Sequence, residues 1–506
     1  MKRILLFLVL LCIPAFASAE RIVVVGDSIT GHSMNLPCGY THRVRLALQE
    51  AGVTDVEFVP LGGSGQTVSS WRGIVDNSYK NRQRLDIPGI FVKDEFDKGA
   101  DTILIFLGMN DAHCPSISNA DNCYDVWKEE FQDLINKVKA RCPYKKLILS
   151  APTMLTESPY DFKNLQMDKM ESVVRQLAKE NGATVCEIRR DFKAAVENAR
   201  KQDVEYRVIR DYVHPRELGH DVMTVAILRA IGQDKAADMY LEKYCSEYQK
   251  DFQKPGMSLY VVSPAPIGKA IVRGNLRGAD KSQLAVDAPE GYKVDKIELG
   301  DGEEFTIYLS GSSEELTTYV TVKAGNIVRK VKLNAPYRLA MGFYVPPFGN
   351  ETQFNKDAAV TQIDKDVLDG KNPLESTVDG KPVEWFSFFP SVDYTGGDDP
   401  NNIDFYAVDN CYGFEGAYFV REVYSPEEQK VRVDFAANSY STNEMVTLYC
   451  NQDRVYEHFF SRGGKTTDST EITLKKGWNR IVGRTTHTTW QWVISVSFNG
   501  NGLKYR

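Results

Sequence analysis

The chain runs to 506 residues, more than one hydrophobic core can organise, so two to four domains are expected. Its 61 Lys and Arg are outnumbered by 68 Asp and Glu. Two of the basic residues, Lys2 and Arg3, fall in an amino-terminal leader, which leaves 59 against 68, a net charge of −9 with no basic cluster; this argues against nucleic acid or an anionic membrane as the main partner.

Residues 1–19 read as a signal peptide. Lys2 and Arg3 give a positive start, Ile4 to Ile13 an apolar core, and Ala17-Ser18-Ala19 a small-residue cleavage site before Glu20. That run is too short to span a bilayer and no later stretch could, so no membrane insertion is expected. Cys12 follows Leu11 rather than a small residue, which speaks against a lipid anchor. The expectation is an exported protein, periplasmic or extracellular, cut near Ala19. Cys38, Cys114, Cys123, Cys142, Cys186, Cys245, Cys411 and Cys450 remain, an even set that suggests disulfides outside the cytoplasm. Cys114 with Cys123, Cys411 with Cys450 and Cys142 with Cys186 are the pairings preferred. No CxxC or histidine cluster accompanies them, so no metal site is expected.

From about residue 20 to 250 strands alternate with helices. Arg21 to Val25 is a β-branched apolar run of the buried parallel kind, stopping at Gly26-Asp27-Ser28. Tyr40, Val44, Ala47, Leu48 and Ala51 share one helical face, ended by Gly52. Val56 to Leu61, Thr102 to Leu107, Lys146 to Ser150 and Ala183 to Ile188 read as further strands, and Asp125 to Ala140, Met167 to Asn181 and Leu218 to Ile231 as helices. The alternation predicts a parallel sheet covered on both faces, a three-layer α/β/α domain over 20–250. Polar residues ending in Lys254-Pro255-Gly256 mark a boundary. Short alternating strands follow, including Val272 to Leu276, Lys293 to Leu299, Glu304 to Ser310, Thr317 to Val322 and Ile327 to Leu333, and predict a small β-sandwich over 251–336. Lys430 to Ala436, Met445 to Tyr449 and Gln491 to Phe498 belong to a second, aromatic-rich β domain over 337–506.

Four stretches carry chemistry. Ser28 stands where a core strand ends and the chain turns to helix, at the edge where α/β sheets bind ligands. Taken alone, Gly26-Asp27-Ser28 is also ordinary turn chemistry. Gly62-Gly63-Ser64-Gly65 follows the second strand; its glycines let backbone N–H groups approach an anionic oxygen. No Lys-Ser/Thr follows, so it is not a phosphate loop. Gly108-Met109-Asn110-Asp111 ends the most buried strand, and the Asn110 amide can donate to an oxyanion. Asp211-Tyr212-Val213-His214 precedes the closing helix, with His214 able to reach Ser28 as a base and Asp211 able to fix its tautomer.

Together these blocks resemble the SGNH (GDSL-type) family of serine esterases and lipases, over roughly residues 21–235 and in the family's order. The resemblance implies a flavodoxin-like α/β/α fold and a serine esterase without a cofactor. It implies Ser28 as nucleophile, His214 as base and Asp211 as its orienter, with Ser28, Gly65 and Asn110 forming the oxyanion hole. An asparagine often precedes the family's glycine block, and Pro60 stands at that place here; the backbone donor at Gly65 does not depend on it, and Gly63 is a second candidate. Asp27 and Asp111 read as turn-holding residues. Asp27, Trp71, Arg72 and His113 are also the candidates for contacts in a small polar substrate pocket. No lid for lipid chains separates the blocks. The last region is similar to the jelly-roll, galactose-binding-like modules of secreted glycan-active enzymes, and Trp385, Trp478, Trp490 and Trp492 are sugar-stacking or core residues. The expected function is removal of acetyl groups from a glycan, with an acetylated carbohydrate as partner. The alternatives are a lipid or acyl-ester hydrolase of the same mechanism and a non-catalytic glycan-binding surface protein. No stretch speaks to oligomeric state.

Overall fold

The computed structural model of the chain describes residues 19–81, 85, 86, 89–113, 122–344, 361–391, 398–408, 415–437, 443–461, 463–487 and 492–506. Residues 1–18 of the leader, Cys114, Cys411 and Trp490 lie outside the described residues. Strands β1 (Glu20–Gly26), β2 (Val56–Gly62), β3 (Thr102–Phe106), β4 (Lys146–Ser150) and β5 (Thr184–Cys186) form one sheet in the order β2-β1-β3-β4-β5. Every pairing in it is parallel. This is the flavodoxin-like order, whose chain reversal beside β1 opens a crevice at the carboxyl ends of the strands.

Helices α1 (Ser28–Ser33), α2 (Tyr40–Glu50), α3 (Val68–Asn81), α4 (Val92–Asp97), α5 (Met109–His113), α6 (Cys123–Arg141), α7 (Phe162–Asn181), α8 (Ile188–Gln202) and α9 (Glu217–Ala230) occur between and after the strands. They bury the sheet on both faces, which is why Ile22 to Val25 of β1 are at most 1% exposed. The α2 face is the predicted one. The chain does not leave this layer after α9: α10 (Asp234–Tyr244) and α11 (Ser246–Phe252) continue it into the polar stretch read as a boundary. Tyr248 and Phe252 pack on the core around Phe192, which anchors an otherwise solvated helix.

Beyond residue 255 the sheets are antiparallel. Gly256–Val262, Lys269–Arg277, Glu304–Gly311 and Tyr292–Leu299 form a four-stranded sheet. It shares a core with the three-stranded sheet of Ala285–Asp287, Thr317–Ala324 and Ile327–Asn334. A longer sheet holds Tyr337–Tyr344, Glu415–Ser425, Gly477–His487, Glu444–Cys450 and Asp453–Phe460 and packs on Asn402–Asp404, Val493–Asn499, Gln429–Ala437 and Thr467–Leu474. Through Phe386–Phe388 it also takes up Ala265–Pro266 from the preceding β region. Trp492 is fully buried between Phe405 and His487, at 4.5 and 4.3 Å, and so is a core residue. Trp478 lies under the Arg506 guanidinium.

The preferred disulfide between Cys142 and Cys186 does not form; both are buried free thiols. Cys142 precedes β4 while Cys186 pairs with Ser150 at that strand's far end, so the two thiols belong to opposite rims of the sheet, beyond bridging distance. Cys123 and Cys450 are free buried thiols as well.

The α/β layer and the β region meet along α8. Glu197 accepts from Ser258 and from Tyr260, the latter at 2.8 Å, Arg329 donates to the Lys201 carbonyl at 2.8 Å, and Lys201 pairs with Glu303. Beside this seam lies a cavity of about 320 Å³ lined by Glu157, Arg200 and Arg207 from one side and Leu259, Tyr260 and Val331 from the other.

Candidate active site

Ser28 owes its position to the way β1 ends. Gly26 is in register with Gly62 of β2 and Phe106 of β3, so three adjacent strands stop level with one another. Asp27 then caps α1, its Oδ1 accepting from the Ile29 N–H at 2.9 Å. The cap makes Ser28 the first helical residue, and among the described residues its N–H meets no acceptor. Close approach of α1 to β2 requires glycine: a Cβ on Gly62 would stand 2.2 Å from the Gly31 nitrogen. Asp27 is 1% exposed, and burial pushes its carboxyl up to about 7 against the Ile29 hydrogen bond. It therefore holds the turn and presents nothing to a ligand.

His214 comes from the opposite end of the layer. A backbone bridge between Ile209 and Pro215 and the bonds Arg210 N–H to His214 O (2.8 Å) and Arg216 N–H to Val208 O (2.7 Å) close a tight loop before α9. Tyr212 sits at its tip with φ +79, a left-handed conformation held by its buried ring and by the Thr156 N–H, which donates to its carbonyl at 3.1 Å. The carboxylate of Glu157, 5% exposed, accepts from Ile209 N–H at 2.9 Å and braces the loop from behind.

The loop brings the imidazole to the serine. His214 Nε2 lies 2.9 Å from Ser28 Oγ, and His214 Nδ1 lies 2.9 and 3.1 Å from the two oxygens of Asp211. Asp211 Oδ1 also accepts from the His214 backbone N–H at 3.0 Å, and Oδ2 from Arg210 at 3.1 Å. Burial opposes the charge on Asp211, but the two hydrogen bonds from His214 and the nearby positive charges outweigh it and hold the carboxyl well below its usual range. An ionised Asp211 places the imidazole proton on Nδ1 and leaves Nε2 as an acceptor toward the serine hydroxyl.

On the other side stand the candidate oxyanion donors. Gly65 has φ +71, open only to glycine without strain, and its N–H meets no acceptor among the described residues. Asn110 is 5% exposed and spends one amide hydrogen on the Gln66 carbonyl at 3.0 Å, which ties its turn to the glycine loop. Asp111 reinforces the tie by accepting from Val68 N–H at 3.1 Å and Trp127 Nε1 at 2.9 Å; burial pushes its carboxyl up to about 7.

Two expected substrate contacts are elsewhere. Trp71 is fully buried and its Nε1 donates to the Gly26 carbonyl at 2.9 Å, which supports the end of β1. Arg72, one position on and turned some 100° around α3, pairs with Glu130 and Asp133 of α6. His113 ends α5, and its side chain lies outside the described residues. His220 is buried on α9 against Tyr40, 6.4 Å between ring centroids, and burial pushes its pKa down to about 3. The residue not foreseen is His32, one helical turn after Ser28, whose ring centroid is 4.6 Å from that of His214.

A hydroxyl, an imidazole and a carboxylate in line at the switch point of a doubly wound sheet are the arrangement of serine hydrolases. Residues 24–222 match the GDSL-like lipase/acylhydrolase family, and this part of the chain is a carboxylic-ester hydrolase domain of the SGNH type. Among curated relatives, an acetylxylan esterase of Geobacillus stearothermophilus is 25% identical over 221 residues, 42% of this chain and 95% of that protein. Among solved structures, an α/β hydrolase from the metagenome of Lake Arreo, Spain, is 20% identical, covers 43% of this chain and 98% of its own, and has a TM-score of 0.34. The crystal structure of the Geobacillus acetylxylan esterase is 22% identical over 42% of this chain and 95% of its own, with a TM-score of 0.32.

Proposed function

We propose that the protein is an exported esterase that removes acetyl groups from a polysaccharide through an acyl-enzyme on Ser28. The observation that carries the mechanism is the continuous line from Asp211 through His214 to the Ser28 hydroxyl, each link 2.9 Å long. His214 accepts the Ser28 proton as Oγ attacks the ester carbonyl, and Asp211 stabilises the imidazolium that forms. The N–H groups of Ser28 and Gly65 and the free amide hydrogen of Asn110 receive the developing oxyanion; one such donor is typically worth about 3 kcal/mol in the transition state. The sugar hydroxyl leaves with the proton from His214, and water repeats the cycle to release acetate.

That the Geobacillus relative is an acetylxylan esterase supports the sugar reading, as do the β regions that follow the catalytic layer. In this reading the catalytic domain spans 20–250 and is followed by β domains over 251–336 and 337–506. Residues 1–19 direct export and are removed; the mature chain then begins at Glu20. The test is acetate release from acetylated xylan and hydrolysis of short p-nitrophenyl esters, with Ser28→Ala as control. Ser28→Ala is expected to lower kcat by roughly 10³-fold or more at unchanged fold by circular dichroism. Hydrolysis confined to long-chain lipid esters would sink the sugar reading, and full activity in Ser28→Ala would sink the mechanism.

A further inference from the structure

The imidazole that must become cationic is covered on one face by another. His32 and Ser28 are four residues apart on α1, so they share a face of the helix, and His32 projects beside the nucleophile. Its ring is tilted 33° to that of His214 with the centroids 4.6 Å apart. Its Nε2 reaches Ser64 Oγ at 3.4 Å, and Ser64 is itself fixed by a backbone N–H donated to Asp86. The ring is thus held from the glycine loop on one side and packs on His214 on the other.

Resting on Ser28 and His214 as the reacting pair, we propose that His32 is a positioning residue whose neutral π-face keeps the His214 ring aimed at Ser28 and stabilises its imidazolium as the transition state forms. An aromatic face within about 6 Å attracts a cation, most strongly where water is thinned. Nothing is gained from that face in the resting enzyme, where His214 is neutral. The gain appears only as the proton arrives, which is the requirement for raising kcat. The groups that face His32 favour its neutral form. Burial, the His214 ring and Arg210 disfavour a charge on it, against the weaker opposite pull of Asp86 and Asp211, and its pKa lies below the usual histidine value.

The experiment compares His32→Ala, His32→Phe and His32→Lys in the full chain, reading kcat, KM and the pH profile of kcat/KM on p-nitrophenyl acetate. His32→Ala is expected to lose about 3- to 10-fold in kcat with KM nearly unchanged. His32→Phe, which keeps an aromatic face, is expected to run several-fold faster than His32→Ala. His32→Lys places a permanent cation beside His214; it is expected to be the slowest and to move the acid limb of the profile to lower pH, because a like charge makes His214 harder to protonate. Wild-type kcat in His32→Ala, a Phe variant no faster than the Ala variant, or a loss confined to KM would overturn the assignment. Ser28→Ala run alongside separates the two claims: if it keeps full activity the reacting pair is wrong, whereas a dead Ser28→Ala beside an unaffected His32→Ala removes only the role of His32.

Discussion

The α/β layer and the β region each hold a carboxylate paired with a cationic or basic partner, and the two pairs are used differently. In the β region Asp364 is fully buried and meets Arg484 at 2.8 Å. It also accepts from Tyr449 at 3.1 Å and from the Thr361 N–H at 2.9 Å, which closes the amino end of the helix Gln362–Leu368 with a capping box. In the α/β layer Asp211 is about one-third exposed and is equally crowded, with the His214 ring against both oxygens, the His214 backbone on one and Arg210 on the other. The difference lies in the partner. A guanidinium does not release its proton, so the Asp364 pair can only fasten a helix to a sheet. An imidazole held at one nitrogen still has another, and in His214 that nitrogen faces a hydroxyl. A carboxylate with a basic partner becomes a working site when the partner keeps an unused valence at an opening.

Substitutions sharpen this contrast. Asp211→Asn keeps the shape but reverses the tautomer preference of His214, and kcat of the folded enzyme is expected to fall by about 10⁴-fold. Asp364→Asn removes a fully buried charge that Arg484 meets at 2.8 Å, and is expected to destabilise the β region by about 3–5 kcal/mol with kcat of the folded enzyme unchanged. Urea unfolding followed alongside turnover checks both. A comparable loss of kcat in the two variants would break the distinction. The smallest effect concerns Asp27. Unfolded, this carboxyl releases its proton near 3.8; folded, burial holds the proton up to about 7. The folded state therefore binds the extra proton between those values, and Asp27 lowers stability as pH rises through that window. Asp211 has the opposite sign, contributing stability above its unfolded value that is lost as pH falls. Asp27→Asn keeps an N-cap acceptor for Ile29 without a titrating group. It is expected to match the wild type near pH 4 and to exceed it on the order of 2 kcal/mol at pH 8, measured by chemical denaturation at the two pH values.

Much of this was legible from the residues. The apolar runs at Ile22 to Val25 and Ile103 to Phe106 are strands because they are buried on both faces, and such runs need no partner to be recognised. The four blocks lie at strand ends or before a helix, where turn chemistry and function overlap. What escaped had physical reasons. Helix α1 opens with Ser-Ile-Thr-Gly, which shows no helical period, so the i to i+4 relation of Ser28 and His32 was invisible until the cap at Asp27 placed the helix start. Ala183 to Ile188 was expected as one strand, but the strand ends at Cys186 and Ile188 begins α8, whose apolar face of Ile188, Phe192, Ala195, Val196 and Ala199 is formed by helical spacing. Trp71 and Arg72 were placed near the substrate by adjacency in the chain, which a helix does not respect: their side chains point to different neighbours, one to β1 and one to α6.

The brace behind the His214 loop has a consequence for the chain as a whole. Glu157 both lines the cavity at the seam with the β region and holds the Ile209 N–H at the base of that loop. The Geobacillus esterase, 95% of which is matched by 221 residues, has no length for an equivalent antiparallel half. The antiparallel half closes the other side of that cavity through Leu259, Tyr260 and Val331, so the carboxylate that holds the base of the histidine loop sits against the junction of the two halves. Changes to seam residues such as Leu259 or Val331 would accordingly register as slower turnover with substrate affinity intact, a defect in catalysis written by residues remote from any bond that breaks.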